Sequence, residues 1–187
     1  LFASFQSGNV LKSTNLGNSW GMVYPLNQNT TSIHFINSDT GYGATFNEGG
    51  GYSWHSIRKT TNSGIQWNNF YTVYTQPGTG KTGDIFFINQ DTGYFSVKLN
   101  NINLLCRYNG IFWSEYTINN FQNNLYFING KTGWSSGENG SIYKTTNAGF
   151  NWFLSITRIT NNLLGVYFIN DLTGWACGEN GTIIKTT

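Results

Sequence analysis

Charge is what this 187-residue sequence has least of: Asp, Glu, Lys and Arg together make up 10% of it, against about 25% in an average soluble domain. Arginine occurs only at Arg58, Arg107 and Arg158, basic residues form no cluster, and the formal net charge is +2. That is too little positive surface for a nucleic-acid partner. No apolar run approaches the roughly 18 residues a membrane helix needs, so no membrane insertion is expected. Cysteine is limited to Cys106 and Cys177, at unlike repeat positions, which gives no disulfide framework. No metal-ligand spacing and no phosphate-binding glycine loop occurs, so neither metal nor cofactor is expected. Strong helix formers are scarce, which argues against a helical fold.

What is abundant points to strands and turns. Phe, Trp and Tyr make up 17% of the chain, glycine occurs 23 times, and asparagine is enriched. Aromatic residues favour strands, and Asn and Gly favour tight turns.

Internal repetition organises these residues. The segment LYFINGKTGWSSGENGSIYKTTNAGFNW (125–152) recurs as VYFINDLTGWACGENGTIIKTT (166–187). Looser copies run from Ile33 to Trp67 and from Ile85 to Trp113, and an incomplete one ends at Trp20. The asparagine of the FIN element falls at Asn37, Asn89, Asn129 and Asn170, spaced 52, 40 and 41 residues apart. Periods of this length, each holding several short strands, mark propeller blades.

One repeat reads as four strands. Leu125 to Asn129 is bulky on both faces, so it is covered on both sides. A turn through Gly133 follows, then a strand from Trp134 to Gly137. Glu138-Asn139-Gly140 predicts a type I′ hairpin. A third strand runs from Ser141 to Thr145, and a fourth from Trp152 to about Thr157. A sheet apolar on both faces must stack between like neighbours, and Phe35, Phe87, Phe127 and Phe168 are then inter-blade core.

The fold class expected is therefore all-β: an open segment of a β-propeller with four-stranded antiparallel blades. The divisions are a partial blade at 1–32, blades at 33–83, 84–123 and 124–164, and a partial blade at 165–187. Residues Phe2 to Thr14 have the same phase as Trp175 to Thr187, both being second and third strands. Four blades therefore do not close a ring. The chain is expected to be a fragment whose neighbours are further blades of the same parent chain.

The pattern [ST]-x-N-x-G-x-x-W occurs at Ser13–Trp20, Thr60–Trp67 and Thr145–Trp152. It resembles the Asp box, or bacterial neuraminidase repeat, with Asn in the place of Asp. The resemblance implies a structural role for Asn15, Gly17 and Trp20, for Asn62, Gly64 and Trp67, and for Asn147, Gly149 and Trp152. In such boxes the carboxylate or amide oxygen ties backbone N–H groups of the turn between the third and fourth strands, and the aromatic packs between blades. In the third blade the box decays, with Cys106 and Tyr108 read as standing in the Ser/Thr and Asn places. Together with F-I-N-x-x-T-G-[YW]-x-x-G-E-N-G-x-I-x-K-T-T, the chain is similar to propellers related to the photosystem II stability and assembly factor, a repeat also carried by secreted bacterial proteins. That resemblance implies a secreted or cell-surface bacterial location, with the periplasm as the alternative.

Length variation then points to a site. The second copy is longest, and its extra residues are read as a hairpin insertion at Asn47 to His55 and a loop insertion at Phe70 to Gly83, on one face of one blade. Tyr52, Trp54, His55, Tyr71 and Tyr74 offer aromatic faces with polar tips there, suited to peptide or sugar. No catalytic residue is assigned. Glu138 and Glu179 are equivalent hairpin-tip positions, and His34 stands where Phe86, Tyr126 and Tyr167 stand. The reading is a non-catalytic binding or scaffolding propeller for a protein, peptide or glycan. Two alternatives stay open. One is a sialidase-like hydrolase with catalytic residues partly outside this chain. The other is an assembly factor for a membrane protein complex.

Overall fold

A computed structural model describes residues 1–23, 25–26 and 28–186. Its strands form five antiparallel sheets arranged as the blades of a β-propeller. The first blade holds β1 (Phe2–Ser4), β2 (Val10–Lys12) and β3 (Gly21–Val23). The second holds β4 (Asn29–Phe35), β5 (Gly41–Gly49), β6 (Tyr52–Thr60) and β7 (Asn68–Thr75). The third holds β8 (Lys81–Asn89), β9 (Thr92–Leu99), β10 (Ile102–Tyr108) and β11 (Trp113–Ile118). The fourth holds β12 (Gln122–Phe127), β13 (Gly133–Gly137), β14 (Ile142–Thr145) and β15 (Phe153–Ser155). The fifth holds β16 (Leu163–Phe168), β17 (Gly174–Gly178) and β18 (Ile183–Thr186). The FIN strands β4, β8, β12 and β16 pack one on the next, so they are the innermost strands.

One interlock repeats at every seam. Phe35, Phe87, Phe127 and Phe168 lie directly across the sheet from Gly41, Gly93, Gly133 and Gly174. A Cβ on any of these glycines would come within 2.4–2.6 Å of its ring. Only glycine leaves room for the ring to lie flat on the neighbouring strand. The other face of each ring is covered by the aromatic residue that follows the equivalent glycine, or its counterpart, in the preceding blade. Phe2 stacks on Phe35 at 3.5 Å, Tyr42 on Phe87 at 3.5 Å, Tyr94 on Phe127 at 3.9 Å and Trp134 on Phe168 at 3.7 Å. The T-G-[YW] element thus encodes both halves of the packing. Three apolar clusters, one per seam from the second blade to the fifth, contain these rings. Trp175 holds the same position in the last blade. Among the described residues no ring stacks on it, and it stays 36% exposed.

Turns follow local chemistry. Asn139 and Asn180 adopt φ 55 and are followed by Gly140 and Gly181 at φ 66 and 70. Ser141 and Thr182 donate back to the Glu138 and Glu179 carbonyls, both at 3.1 Å, which closes the expected type I′ turns. The FIN asparagines act as local acceptors: Asn129 Oδ1 takes the N–H groups of Lys131 and Thr132, both at 2.8 Å.

The insertion at Asn47 to His55 is a hairpin, as expected, with both arms in the sheet. The structure corrects the loop expected at Phe70 to Gly83, which is strand through Thr75 and again from Lys81. Asn47, Glu48 and Gly49 pair with Trp54, Ser53 and Tyr52, and Tyr71, Thr72, Val73, Tyr74 and Thr75 pair back onto β6. The extra residues are aromatic and β-branched, so they extend the sheet instead of leaving it. The third-blade turn is also corrected. Tyr108 lies opposite Gly93 as Thr60 lies opposite Gly41, so Tyr108, not Cys106, fills the Ser/Thr place. The turn is simply shorter. Asn109 caps it by accepting from Ile111 and Phe112 N–H at 3.1 and 3.0 Å.

Candidate functional site

The second blade carries the longest strands, and one face of it is only partly covered. On that face Gly43 meets Leu26 and Thr45 bonds Gln28. The cross-strand rows beyond them, Asn47–Trp54–Tyr74 and Gly49–Tyr52, extend farther along the sheet. Alternation puts Tyr52 and Trp54 on the same side of β6, and Tyr74 sits directly across from Trp54. Gly49 lets the Trp54 ring lie across it, 3.4 Å from where a Cβ would stand. Tyr52 and Tyr74 are 61% and 68% exposed. Ser56 and Thr72, the next row, share a hydroxyl hydrogen bond of 3.0 Å. The result is a ledge of three rings with amide and hydroxyl neighbours.

Two of the five expected site residues lie elsewhere. His55 points to the opposite face and is 1% exposed. Its Nδ1 bonds Thr82 Oγ1 at 2.7 Å, its Nε2 bonds Thr75 Oγ1 at 3.3 Å, and Gly80 makes room for the ring. It joins the second blade to the third and offers nothing to a ligand. Tyr71 also faces away, with its ring 5.3 Å from that of Trp113, and burial pushes its hydroxyl up to about 12. A one-residue step along a strand reverses the face, and reading the two insertions by residue type alone hides that alternation.

Burial holds the His55 imidazole below its ordinary value, with Glu48 opposing weakly. A group whose folded pKa is depressed stabilises the fold above its unfolded pKa and loses that contribution as pH falls. Thermal stability is therefore expected to fall as the pH drops below about 6.5. His55→Gln should flatten that part of the profile, and an unchanged slope would remove His55 as its source.

The asparagine turns have one geometry. Asn15, Asn62 and Asn147 each accept, through Oδ1, the N–H four residues on, at 2.9 Å in all three turns. Ser13, Thr60 and Thr145 accept the N–H of Gly17, Gly64 and Gly149 at 2.8, 3.0 and 2.9 Å. Trp67 and Trp152 stand edge-on to Phe35 and Phe127 at 5.8 and 5.9 Å, whereas Trp20 is 42% exposed. These residues build the blades.

The inner strands contain a residue that sequence reasoning missed. Asp84 is buried, on the bulge that interrupts each inner strand's pairing. Its Oδ1 accepts from Ser32 Oγ and, at 2.8 Å, from the Ile85 N–H. Its Oδ2 accepts from Asn124 Nδ2 and the Leu125 N–H, both at 2.8 Å. Burial pushes this carboxyl above the ordinary carboxylate value, while the four donors pull it down. Asn124, its counterpart in the fourth blade, passes the pattern on by accepting the Val166 N–H at 2.9 Å. One acidic residue directly before the apolar run Ile85 to Ile88 was the available signal.

Other charged groups are dispersed. Glu138 pairs with Lys81 at 3.1 Å, and Glu179 accepts from Asn162 at 3.1 Å. Arg107 lies over Phe150, 4.4 Å from the ring centre, and Arg58 is on a different blade. The His34 ring packs 4.4 Å from Phe86, and burial lowers its pKa. These positions bring no two arginines together around a substrate carboxylate.

No family model and no curated protein matches the sequence. Solved structures do. YCF48 from Cyanidioschyzon merolae superposes with a TM-score of 0.64 at 12% identity, over 99% of this chain and 65% of that one. A structure titled YCF48 bound to D1 peptide matches with a TM-score of 0.47 at 14% identity, over 96% of this chain and 71% of that one. The chain thus spans just under two thirds of the algal protein's length, and what it shares with that protein is the propeller fold.

Proposed function

We propose that this chain is a non-catalytic binding or scaffolding propeller of a secreted or cell-surface protein, and that it presents the Tyr52–Trp54–Tyr74 ledge to a protein, peptide or glycan. The observation that carries this reading is the ledge itself. Two tyrosines stay open to solvent beside a tryptophan on a sheet held rigid by its seams. Aromatic rings on a rigid support lose little entropy on contact and dominate binding energies. An assembly factor for a membrane protein complex is a narrower form of the same activity. The repeat's resemblance supports it, and the fold shared with YCF48 is compatible with it.

Screening the chain against peptide and glycan arrays should give a ligand whose affinity falls by about ten- to a hundred-fold in Trp54→Ala. Thr31→Ala, away from the ledge, should leave binding unchanged. A ligand that binds Trp54→Ala as well as the parent would place the site elsewhere.

A further inference from the structure

The cleft between the first and second blades contains polar groups that the repeat does not account for. From the second blade onward, the residue two places before the Ser/Thr slot on the third strand faces the preceding blade. Leu11, Cys106, Tyr143 and Ile184 hold that position, opposite Ala3, Phe95, Ser135 and Ala176. In the second blade the position is Arg58, opposite Gly43. A guanidinium thus occupies a slot that is otherwise apolar or phenolic. In the corresponding cleft between the third and fourth blades, the Tyr143 hydroxyl accepts the Asn119 N–H at 3.3 Å.

Arg58 lines a cavity of about 400 Å³ together with Trp67, Gln28 and Gln66, and Leu26 and Ile65 form apolar walls. Arg58 Nε and Trp67 Nε1 are both buried, and among the described residues neither has an acceptor. The one ion pair among the described residues is Lys81–Glu138, on another part of the disc. Gln28 spends its oxygen on Thr45 Oγ1 at 2.7 Å, which leaves its amide hydrogens for a further partner. Among the described residues the cleft therefore gathers donors and no carboxylate. Buried donors without acceptors are rare and costly, and two of them line one cavity here.

We propose that this cleft is a binding site for an organic carboxylate with an apolar body. The guanidinium takes a carboxylate in a two-point fork, the indole N–H adds a third donor, and Leu26 and Ile65 cover the hydrocarbon part. Among the described residues Arg58 is the only charged one that lines the cavity, and a single guanidinium suits a monoanion better than a phosphate dianion. The site is separate from the aromatic ledge and stands or falls without it.

The test uses the full chain, with the Trp67 indole N–H resonance assigned through Trp67→Phe. N-acetyl-leucine should shift that resonance in a saturable way, and N-acetyl-leucinamide, which lacks the charge, should not. Arg58→Gln should weaken N-acetyl-leucine by about ten- to a hundred-fold, with an unchanged unfolding temperature showing that the fold survives. If Arg58→Gln does not fold, Arg58→Lys provides the second reading, because a lysine keeps the charge but loses the fork and should also bind more weakly. The tripeptide Ala-Ala-Leu as free acid, compared with N-acetyl-leucine, separates two sources of the carboxylate. Tighter tripeptide binding identifies a polypeptide terminus, and equal or weaker binding a free small acid. Equal shifts from acid and amide, no shift from either, or unchanged affinity in both arginine variants would overturn the proposal.

Discussion

Phe87→Ala is expected to destabilise the protein by about 3–5 kcal/mol, the cost of emptying a large, closed aromatic site. Phe87 is 1% exposed. It stacks flat on Tyr42, meets Trp113 edge-on at 6.2 Å, and lies over Gly93. These neighbours belong to two blades, so collapse around the cavity would have to move both sheets. Trp175→Ala is the control, since that ring stands where Tyr42, the other half of the seam, stands, but among the described residues no ring stacks on it. It should cost well under half as much. Urea denaturation of the two variants decides the matter. Equal losses would mean that the stacked seam contributes little beyond local packing. Stacked repeat units need not unfold in one step, so hydrogen exchange at β5 and β8 should also show whether the loss concentrates at that seam.

Asp84→Asn is expected to cost about 2–4 kcal/mol near neutral pH, although it changes no volume. The carboxylate accepts from four donors on three blades. An amide offers one oxygen, so its NH2 group must face either the Ser32 hydroxyl and the Ile85 N–H or the Asn124 amide and the Leu125 N–H. Two buried donors lose their acceptor in either rotamer. Chemical denaturation measures the loss. Asp84→Asn matching the parent within experimental error would show that the Asp84 network adds nothing to the joining of the second, third and fourth blades.

Much of the architecture was legible because each repeat states its own packing rule. Gly-Trp or Gly-Tyr after a turn, with a Phe six residues earlier, is enough to identify the stacked seam. Asn139-Gly140 announced its turn because only a few residues tolerate positive φ. The ledge was half legible. Tyr52, Trp54 and Tyr74 were recognised by type, but His55 and Tyr71 were grouped with them because the hairpin and loop insertions were read by residue type alone, without the alternation of faces. Once those residues are on strands, alternation sends both to the other face. Asp84 was missed for a different reason. A buried carboxylate is tolerated only through partners on other blades, Ser32 and Asn124, and no local pattern reveals partners so far along the chain. Arg58 was weighed only as a possible member of an arginine cluster. Its departure from the apolar slot appears once the strands are in register.

Each blade from the second onward turns its inner phenylalanine backward and its second-strand aromatic forward, so all the junctions consist of the same two halves. Loss or duplication of one whole repeat would leave matching halves at the new junction. If the fourth blade were removed, Tyr94 would meet Phe168 in place of Phe127. The number of blades can therefore change in steps of a single unit during evolution with the aromatic stack intact at the new junction.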